Sequence, residues 1–238
     1  MKFILDTHCH TAASGHAQGT PEEYAQKAAA RGLKLLAVTD HGPGMPDTAS
    51  ASYFTGLKAL PRFVEGVEIL PGAEANIMDF DGKLDLSDGI LKQLKPVIAS
   101  LHPNCLGSGS RAENTRAVVS AMQNPLVDIA GHVLDLNFPV DIEEIVRAAA
   151  ETGTAIEIND SSLHPYNWRY CGEDAFIEML RLCERAGVYV VAASDAHASD
   201  RVGELRRSAK IIAKSGISRE LVLNDSVEKL KKALGIIK

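Results

Sequence analysis

The chain has few cysteines, no long apolar run and no excess of basic charge, and each shortage closes off a class of protein. Its four cysteines, Cys9, Cys105, Cys171 and Cys183, lie far apart and form no Cys-x-x-Cys pair, which argues for reduced thiols and against a zinc knuckle. No apolar stretch approaches the length of a membrane span. The opening run Phe3-Ile4-Leu5 is broken by Asp6 too early to supply a signal-peptide core. A cytoplasmic address and no membrane partner are therefore expected. With 25 Lys+Arg against 31 Asp+Glu the formal net charge is -6, so a broad cationic face for a nucleic-acid polymer is not expected. Any anionic substrate has to be attracted locally. Low-complexity and linker-like segments are missing too. At 238 residues, 45% hydrophobic and 24% charged, the chain suits one well-buried domain over residues 1–238, with a homo-oligomer left open.

What is present is a repeated unit, in which a short apolar run ends in polar residues and is followed by an amphipathic helix. Core strands are expected near residues 2, 34, 67, 97, 127, 154 and 188. Thr20-Pro21-Glu22-Glu23 has the form of an N-cap, a proline at the first helical position and acids in the first turn, so it starts a helix that stops at Gly32. Further helices are expected near 49–60, 112–122, 142–151, 175–186, 202–214 and 227–234, with a hairpin turn at Asp81-Gly82. Seven strands alternating with helices argue for a parallel α/β sheet, and polar residues following nearly every strand at the same end favour a (βα)7 TIM-like barrel over an open sheet.

The histidines concentrate at those strand ends. In Asp6-Thr7-His8-Cys9-His10, strand alternation puts Asp6, His8 and His10 on one face and Cys9 on the other, leaving the thiol a buried bystander. His41, His102 and His132 each lie at or just past another strand, His197 lies two residues beyond Asp195, and His16 sits in the loop after the first strand. Glu74 and Asp195 hold equivalent positions. The nine candidates, His8, His10, His16, His41, Glu74, His102, His132, Asp195 and His197, are too many for one ion, and imidazole with carboxylate suits zinc, manganese or iron.

The motifs Asp6-Thr7-His8-Cys9-His10-Thr11, Thr39-Asp40-His41-Gly42, Gly72-Ala73-Glu74-Ala75-Asn76-Ile77, Glu157-Ile158-Asn159-Asp160-Ser161-Ser162 and Ser194-Asp195-Ala196-His197, in this order over nearly the whole chain, resemble the PHP (polymerase and histidinol phosphatase) superfamily, in particular its compact bacterial phosphatase branch. The resemblance implies a distorted seven-stranded barrel and three divalent ions. His8, His10, Glu74 and Asp195 would hold one, Glu74, His102 and His132 a second, and His16, His41 and His197 a third. Val133 follows His132 where relatives often have proline, so the loop from Leu134 to Pro139 is expected to shape the pocket differently.

The implied activity is a metal-dependent phosphatase acting on small phosphomonoesters. A metal-bridging hydroxide would be the nucleophile, and Glu74 and Asp195 would bridge or position the metals. Phosphodiester hydrolysis, other metal-dependent hydrolysis and a catalytically silent metal-stabilised module stand as alternatives. Asp40 is a candidate to orient a ligand imidazole, or else a turn residue. Arg111, Arg169 and Arg201 are candidate substrate contacts near the mouth. His164, Tyr166 and Trp168 form either a pocket wall or a loop packed on itself, and Asp6 either supports the ligands from below or does not.

Overall fold

Among residues 2–238, which the computed structural model describes, nine strands and eight α-helices alternate along the chain. In order they are β1 (Leu5–Asp6), α1 (Pro21–Ala30), β2 (Leu35–Val38), α2 (Ala51–Gly56), β3 (Phe63–Val64), β4 (Val67–Pro71), β5 (Ala73–Asn76), α3 (Asp88–Leu91), β6 (Val97–Ser100), α4 (Arg111–Met122), β7 (Ile129–Ala130), α5 (Ile142–Thr152), β8 (Ala155–Asn159), α6 (Glu173–Ala186), β9 (Val190–Ala193), α7 (Arg206–Ser215) and α8 (Val227–Ala233). No helix is long and apolar enough to cross a membrane. The expected α/β alternation and parallel direction are present.

The strands form two sheets, β1-β2-β4-β3 and β5-β6-β7-β8-β9, parallel throughout except for the β3–β4 pair. The strand expected near residue 67 is β4, and it is preceded by an unexpected antiparallel partner, β3, so that the two form a hairpin. Glu65 and Gly66, both at positive φ (49° and 79°), make its turn. The chain then changes sheets at Gly72: its N–H donates to Val38 O, and the next N–H, of Ala73, donates to Pro96 O. A Cβ at Gly72 would lie 2.5 Å from Pro96 O and 2.8 Å from Thr39 Cγ2, so only glycine lets the strand pass between its two partners.

The sheets meet at two seams. At one, His41 bridges to Glu74; at the other, Cys9 bridges to Ala196. Lower on the second seam the Asn224 amide joins the edges, its Oδ1 accepting from Ala192 N and its Nδ2 donating to Ala192 O and Leu5 O. One interior cluster takes Leu5, Leu35, Leu70, Ile98, Ile129, Ala155 and Val191 from seven different strands, and Leu230 of α8 with Leu234 just after it covers the cluster. The opposite end of the strands is thereby left for polar residues.

Local chemistry explains most element ends. Thr20 and Glu23 form a capping box on α1, and Ser110 and Glu113 form another on α4. Gly153 and Gly187 adopt the left-handed conformation that stops α5 and α6. The turn at Asp79–Gly82 is as expected, with Ile77 bridging Leu84. Two boundaries differ from expectation. The helix expected from 49 to 60 gives way to a 3-10 turn after Gly56. α7 begins at Arg206 rather than near 202, because Gly203 sits at φ 72° with its N–H donated to Asp6 Oδ2. The short α3 was not expected at all.

Gly72→Ala is expected to destabilise the fold by about 1–3 kcal/mol, the usual cost of forcing an extra methyl into a packed site. The denaturation midpoint in urea, relative to the parent, checks this.

Candidate metal centre

The nine expected ligands converge at the C-terminal end of the strands, and Glu74 is at the middle. It lies within β5, fully buried, with its two oxygens turned to different imidazoles. Oε2 lies 3.3 Å from His8 Nε2, 3.4 Å from His10 Nε2 and 2.7 Å from His41 Nδ1. Oε1 lies 3.0 Å from His132 Nε2 and 3.4 Å from His102 Nε2. Asp195 Oδ1 stands 3.2 Å from His10 Nε2 and 3.8 Å from His8 Nε2. His197 and His16 complete the group at the mouth, Nε2 to Nε2 at 3.1 Å.

These contacts are not an ordinary hydrogen-bond network. Glu74 Oε2 and His41 Nδ1 are both buried and, although 2.7 Å apart, neither has a hydrogen-bond partner of acceptable geometry. A buried carboxylate oxygen without a donor costs several kcal/mol or is matched by a cation. Three triads bring one ligand atom each within 4.8 Å of one another: His8-His10-Glu74, His41-Glu74-His102 and His10-His41-His197. His132, Asp195 and His16 adjoin these triads through the contacts given above. The donor set therefore fits divalent ions that take nitrogen and carboxylate oxygen.

The outward-facing nitrogens explain why the inward ones carry lone pairs. His8 Nδ1 is 2.6 Å from Glu157 Oε1, and a carboxylate can only accept. His102 Nδ1 is 2.8 Å from Asn76 Oδ1; the same amide's Nδ2 donates to Gly42 O and Asp85 Oδ2, which fixes its orientation. His10 Nδ1 faces Ser14 Oγ, whose own proton goes to Asp40 Oδ1, and His197 Nδ1 faces Asp195 O. In each of these four rings Nδ1 is the donor, so the neutral ring presents Nε2 as an acceptor to the cluster.

Electrostatics support the neutral ring at His10 and His102 and run the other way at His8. Burial opposes charge on Glu74, Glu157 and Asp195 alike, yet all three are held below the usual carboxylate range. Glu74 is held down by His8, His102 and His41, Glu157 by His8 and His132, and Asp195 by Arg169 and His8. Burial likewise opposes charge on His8, but Glu74, Glu157 and Asp195 raise its pKa well above the ordinary value. Burial and neighbouring imidazoles push His10 and His16 down, and burial dominates at His102, which favours the neutral ligand form. His132 (φ 23°) and Asp195 (φ 54°) adopt the left-handed backbone region, strain of the kind that packing sustains at functional sites.

The remaining candidates separate clearly. Arg169 is 7% exposed, paired with Asp195 Oδ2, and lines a cleft of about 520 Å³ over the histidines. Arg201 is exposed and paired with Glu204 at 3.1 Å; it lines an adjoining cleft of about 510 Å³. Arg111 is exposed on the first turn of α4 and lines neither cleft, because the loop before α4 carries it away from the mouth. Asp40 contacts no imidazole directly: it accepts from Thr11 N, Thr11 Oγ1, Ser14 Oγ and Tyr53 OH, and reaches His10 only through Ser14. Asp6 supports from below through backbone, accepting from Ser194 N, His8 N and Gly203 N. Cys9 is buried with its Sγ near Ala37 O, away from the cluster. The His164–Trp168 loop both packs on itself and walls the clefts.

Sequence reasoning did not single out Glu157, Asn76, Asp85 or Ser14. A visible signal existed for two of them: Glu157 and Asn76 are polar residues inside short apolar strands, where an unpaired polar side chain is costly.

Fold and site together define an α/β protein with a histidine–carboxylate metal-ligand cluster at the C-terminal ends of its parallel strands. The chain matches the PHP domain family model over residues 6–161 and belongs to that family. It is 47% identical over 235 residues to a probable phosphatase of Thermoanaerobacter sp. strain X514, covering 98% of this chain and 95% of that one. A probable phosphatase of Acetivibrio thermocellus is 42% identical over 229 residues, covering 96% and 94%. The fold is similar to that of histidinol phosphate phosphatase from Lactococcus lactis, solved with zinc, L-histidinol and phosphate. That match has a TM-score of 0.67 and 21% identity and covers 90% of this chain and 94% of the other.

Glu157 accepts from His8 Nδ1, from His132 N at 2.7 Å and from Asn159 Nδ2 at 3.1 Å, so an amide there would turn an N–H toward one of these donors. Glu157→Gln is expected to weaken zinc affinity by about 10–100-fold with the fold retained. Competition against a chromophoric chelator, together with circular dichroism, measures both.

Proposed function

We propose that this protein is a metal-dependent phosphatase of small phosphomonoesters with a trinuclear site, built as a single domain over residues 1–238 and working in the cytoplasm. The observation that carries the reading is Glu74 Oε2, a buried carboxylate oxygen set among three imidazole nitrogens with no hydrogen bond, one of which, from His41, belongs to a residue that lines an open cleft. The names of the relatives support the reaction class. A distorted seven-stranded barrel is supported by the interior cluster drawn from seven strands and by the bridges at both seams.

His8, His10, Glu74 and Asp195 would hold one ion, Glu74, His102 and His132 a second, and His16, His41 and His197 a third. Zinc is the first choice, with manganese and iron as alternatives. Bound there, such ions supply Lewis acidity and an activated water for attack at phosphorus. Glu74 and Asp195 act by positioning. Their buried charges offset the cationic load and hold the ligand sets together, since Glu74 reaches both halves of the cluster. Asn159 Nδ2 and Arg169 fix Asp195 Oδ2, which leaves Oδ1 turned to the histidines. Arg169, lining the cleft, also places a permanent cation beside the position of the phosphoryl group. The local charge answers how an anion reaches a protein of net charge -6.

Hydrolysis of p-nitrophenyl phosphate is expected to be lost on exhaustive chelation and restored by zinc or manganese; turnover indifferent to metal removal overturns the reading. His16→Ala is expected to lower zinc content by about one equivalent and kcat by at least about 10-fold, because His16 belongs to one ion position only. Metal analysis with steady-state kinetics tests it, and full metal content at full rate overturns the assignment.

A further inference from the structure

Among the candidate ligands His16 stands farthest from a strand: β1 ends at Asp6, and His16 follows a short 3-10 turn, Ala12–Ser14, on the loop that leads to α1. Its ring is exposed, facing His197 Nε2 at 3.1 Å and stacked on His41 at a centroid distance of 5.1 Å. The backbone of the turn therefore sets its place at the mouth. That turn hangs from one carboxylate. Asp40, fully buried, accepts on Oδ1 from Thr11 N and from Ser14 Oγ, each at 2.6 Å, and on Oδ2 from Thr11 Oγ1 at 2.9 Å. Ser14 Oγ in turn accepts from His41 N at 3.1 Å, and His16 N donates to Ser14 O at 2.8 Å. The fourth donor to Asp40 comes from outside the turn: Tyr53 OH, carried by α2, lies 2.6 Å from Oδ2. The chain leading into α2 leans on the same turn, with Ala49 N donating to Ala13 O at 2.8 Å and a Cβ at Gly15 falling 2.2 Å from Asp47 O.

We infer that Tyr53 is a positioning residue for the ion position of His16, His41 and His197: its hydroxyl fixes Asp40, Asp40 fixes the turn, and the turn sets how tightly that position holds a divalent ion. The inference rests on the three-ion reading and adds to it a side chain outside the cluster. Tyr53 lines a separate apolar cleft with Thr20, Leu57 and Leu60, and neither of the clefts over the histidines, so it acts through Asp40 and not on a substrate. Burial and the neighbouring Asp40 push its phenol pKa up, so the hydroxyl keeps its proton and stays a donor. Without that hydroxyl Asp40 Oδ2 keeps only Thr11 Oγ1, and the carboxylate loses its tie to α2. The other ion positions depend less on the turn, because strand pairing holds their ligands: Glu74 lies inside β5, and His10 N donates to Ala196 O at 2.8 Å.

The test is stepwise release of zinc from the zinc-loaded protein to a chromophoric chelator, with three equivalents expected from the parent. In Tyr53→Phe one equivalent is expected to bind about 10–100-fold more weakly, the usual loss when a group that orients a metal ligand is removed, while the other two keep the parent affinity. In a His16→Ala background Tyr53→Phe is expected to cause no further loss, because both changes act on the same ion. Phe54→Leu is the control for general loosening of α2: Phe54 is buried beside Tyr53, ring edge to face at a centroid distance of 5.2 Å. That variant is expected to lower the urea midpoint and keep all three equivalents. Parent affinity at all three positions in Tyr53→Phe, or release of the same equivalent by Phe54→Leu, overturns the inference and leaves the three-ion reading standing. Only two equivalents in the parent overturn the three-ion reading and the inference with it. Zinc release as expected, without hydrolysis of p-nitrophenyl phosphate, keeps the inference and overturns the phosphatase reading.

Discussion

A single buried carboxylate, that of Glu74, sets the terms for the rest of this structure. A charge fully removed from water is tolerated only when something of opposite sign meets it, and five imidazoles from four other strand ends close around its two oxygens. The strand that carries it crosses from one sheet to the other at Gly72, so Glu74 stands where the sheets meet and can face histidines from both. His8, His10 and His41 come from one sheet and His102 and His132 from the other, which puts Glu74 between the two groups of histidines.

Around this centre lies a ring of acceptors whose task is orientation. Glu157, Asn76, Ser14 and the carbonyl of Asp195 each take the outer proton of one histidine, and each is itself restrained, by His132 N, Asp85, Asp40 and the strained turn at Asp195 in that order. Such a network works only when complete, because one misplaced amide leaves a buried donor unmatched. The strain at His132 and Asp195 belongs to the same economy: the fold holds unfavourable backbone angles so that two side chains can turn inward. Below it, the interior cluster from seven strands is wholly apolar, and Asp6 ties the first and last strand ends together through backbone N–H groups.

The repeated strand-then-histidine pattern made the α/β alternation legible, because period and turn chemistry are local properties of the chain. The same pattern pointed to His8, His10, His41, His102 and His132, since a histidine just past an apolar run has few places to go except the end of a sheet. The hairpin before Gly72 was not legible: one strand near residue 67 is expected there, and Phe63–Val64 is too short a run to read as a second strand without its pairing partner. Nor were the acceptors. Ser14 and Asp85 are ordinary loop residues by composition, and their importance comes from partners 26 and 9 residues away. Arg111 shows the converse, a loop arginine of plausible position whose loop carries it elsewhere.

The sequence by itself determined which side chains could be ligands and at which end of the strands they would gather, because strand alternation and strand-end position are carried by consecutive residues. Tertiary structure alone decided which ligand atoms meet, which nitrogen of each imidazole is free, that Arg169 rather than Arg111 reaches the cleft, and that Trp168 faces it. Those outcomes depend on contacts between residues far apart in the chain, where sheet twist and loop path, which no local pattern encodes, set distances to within an ångström.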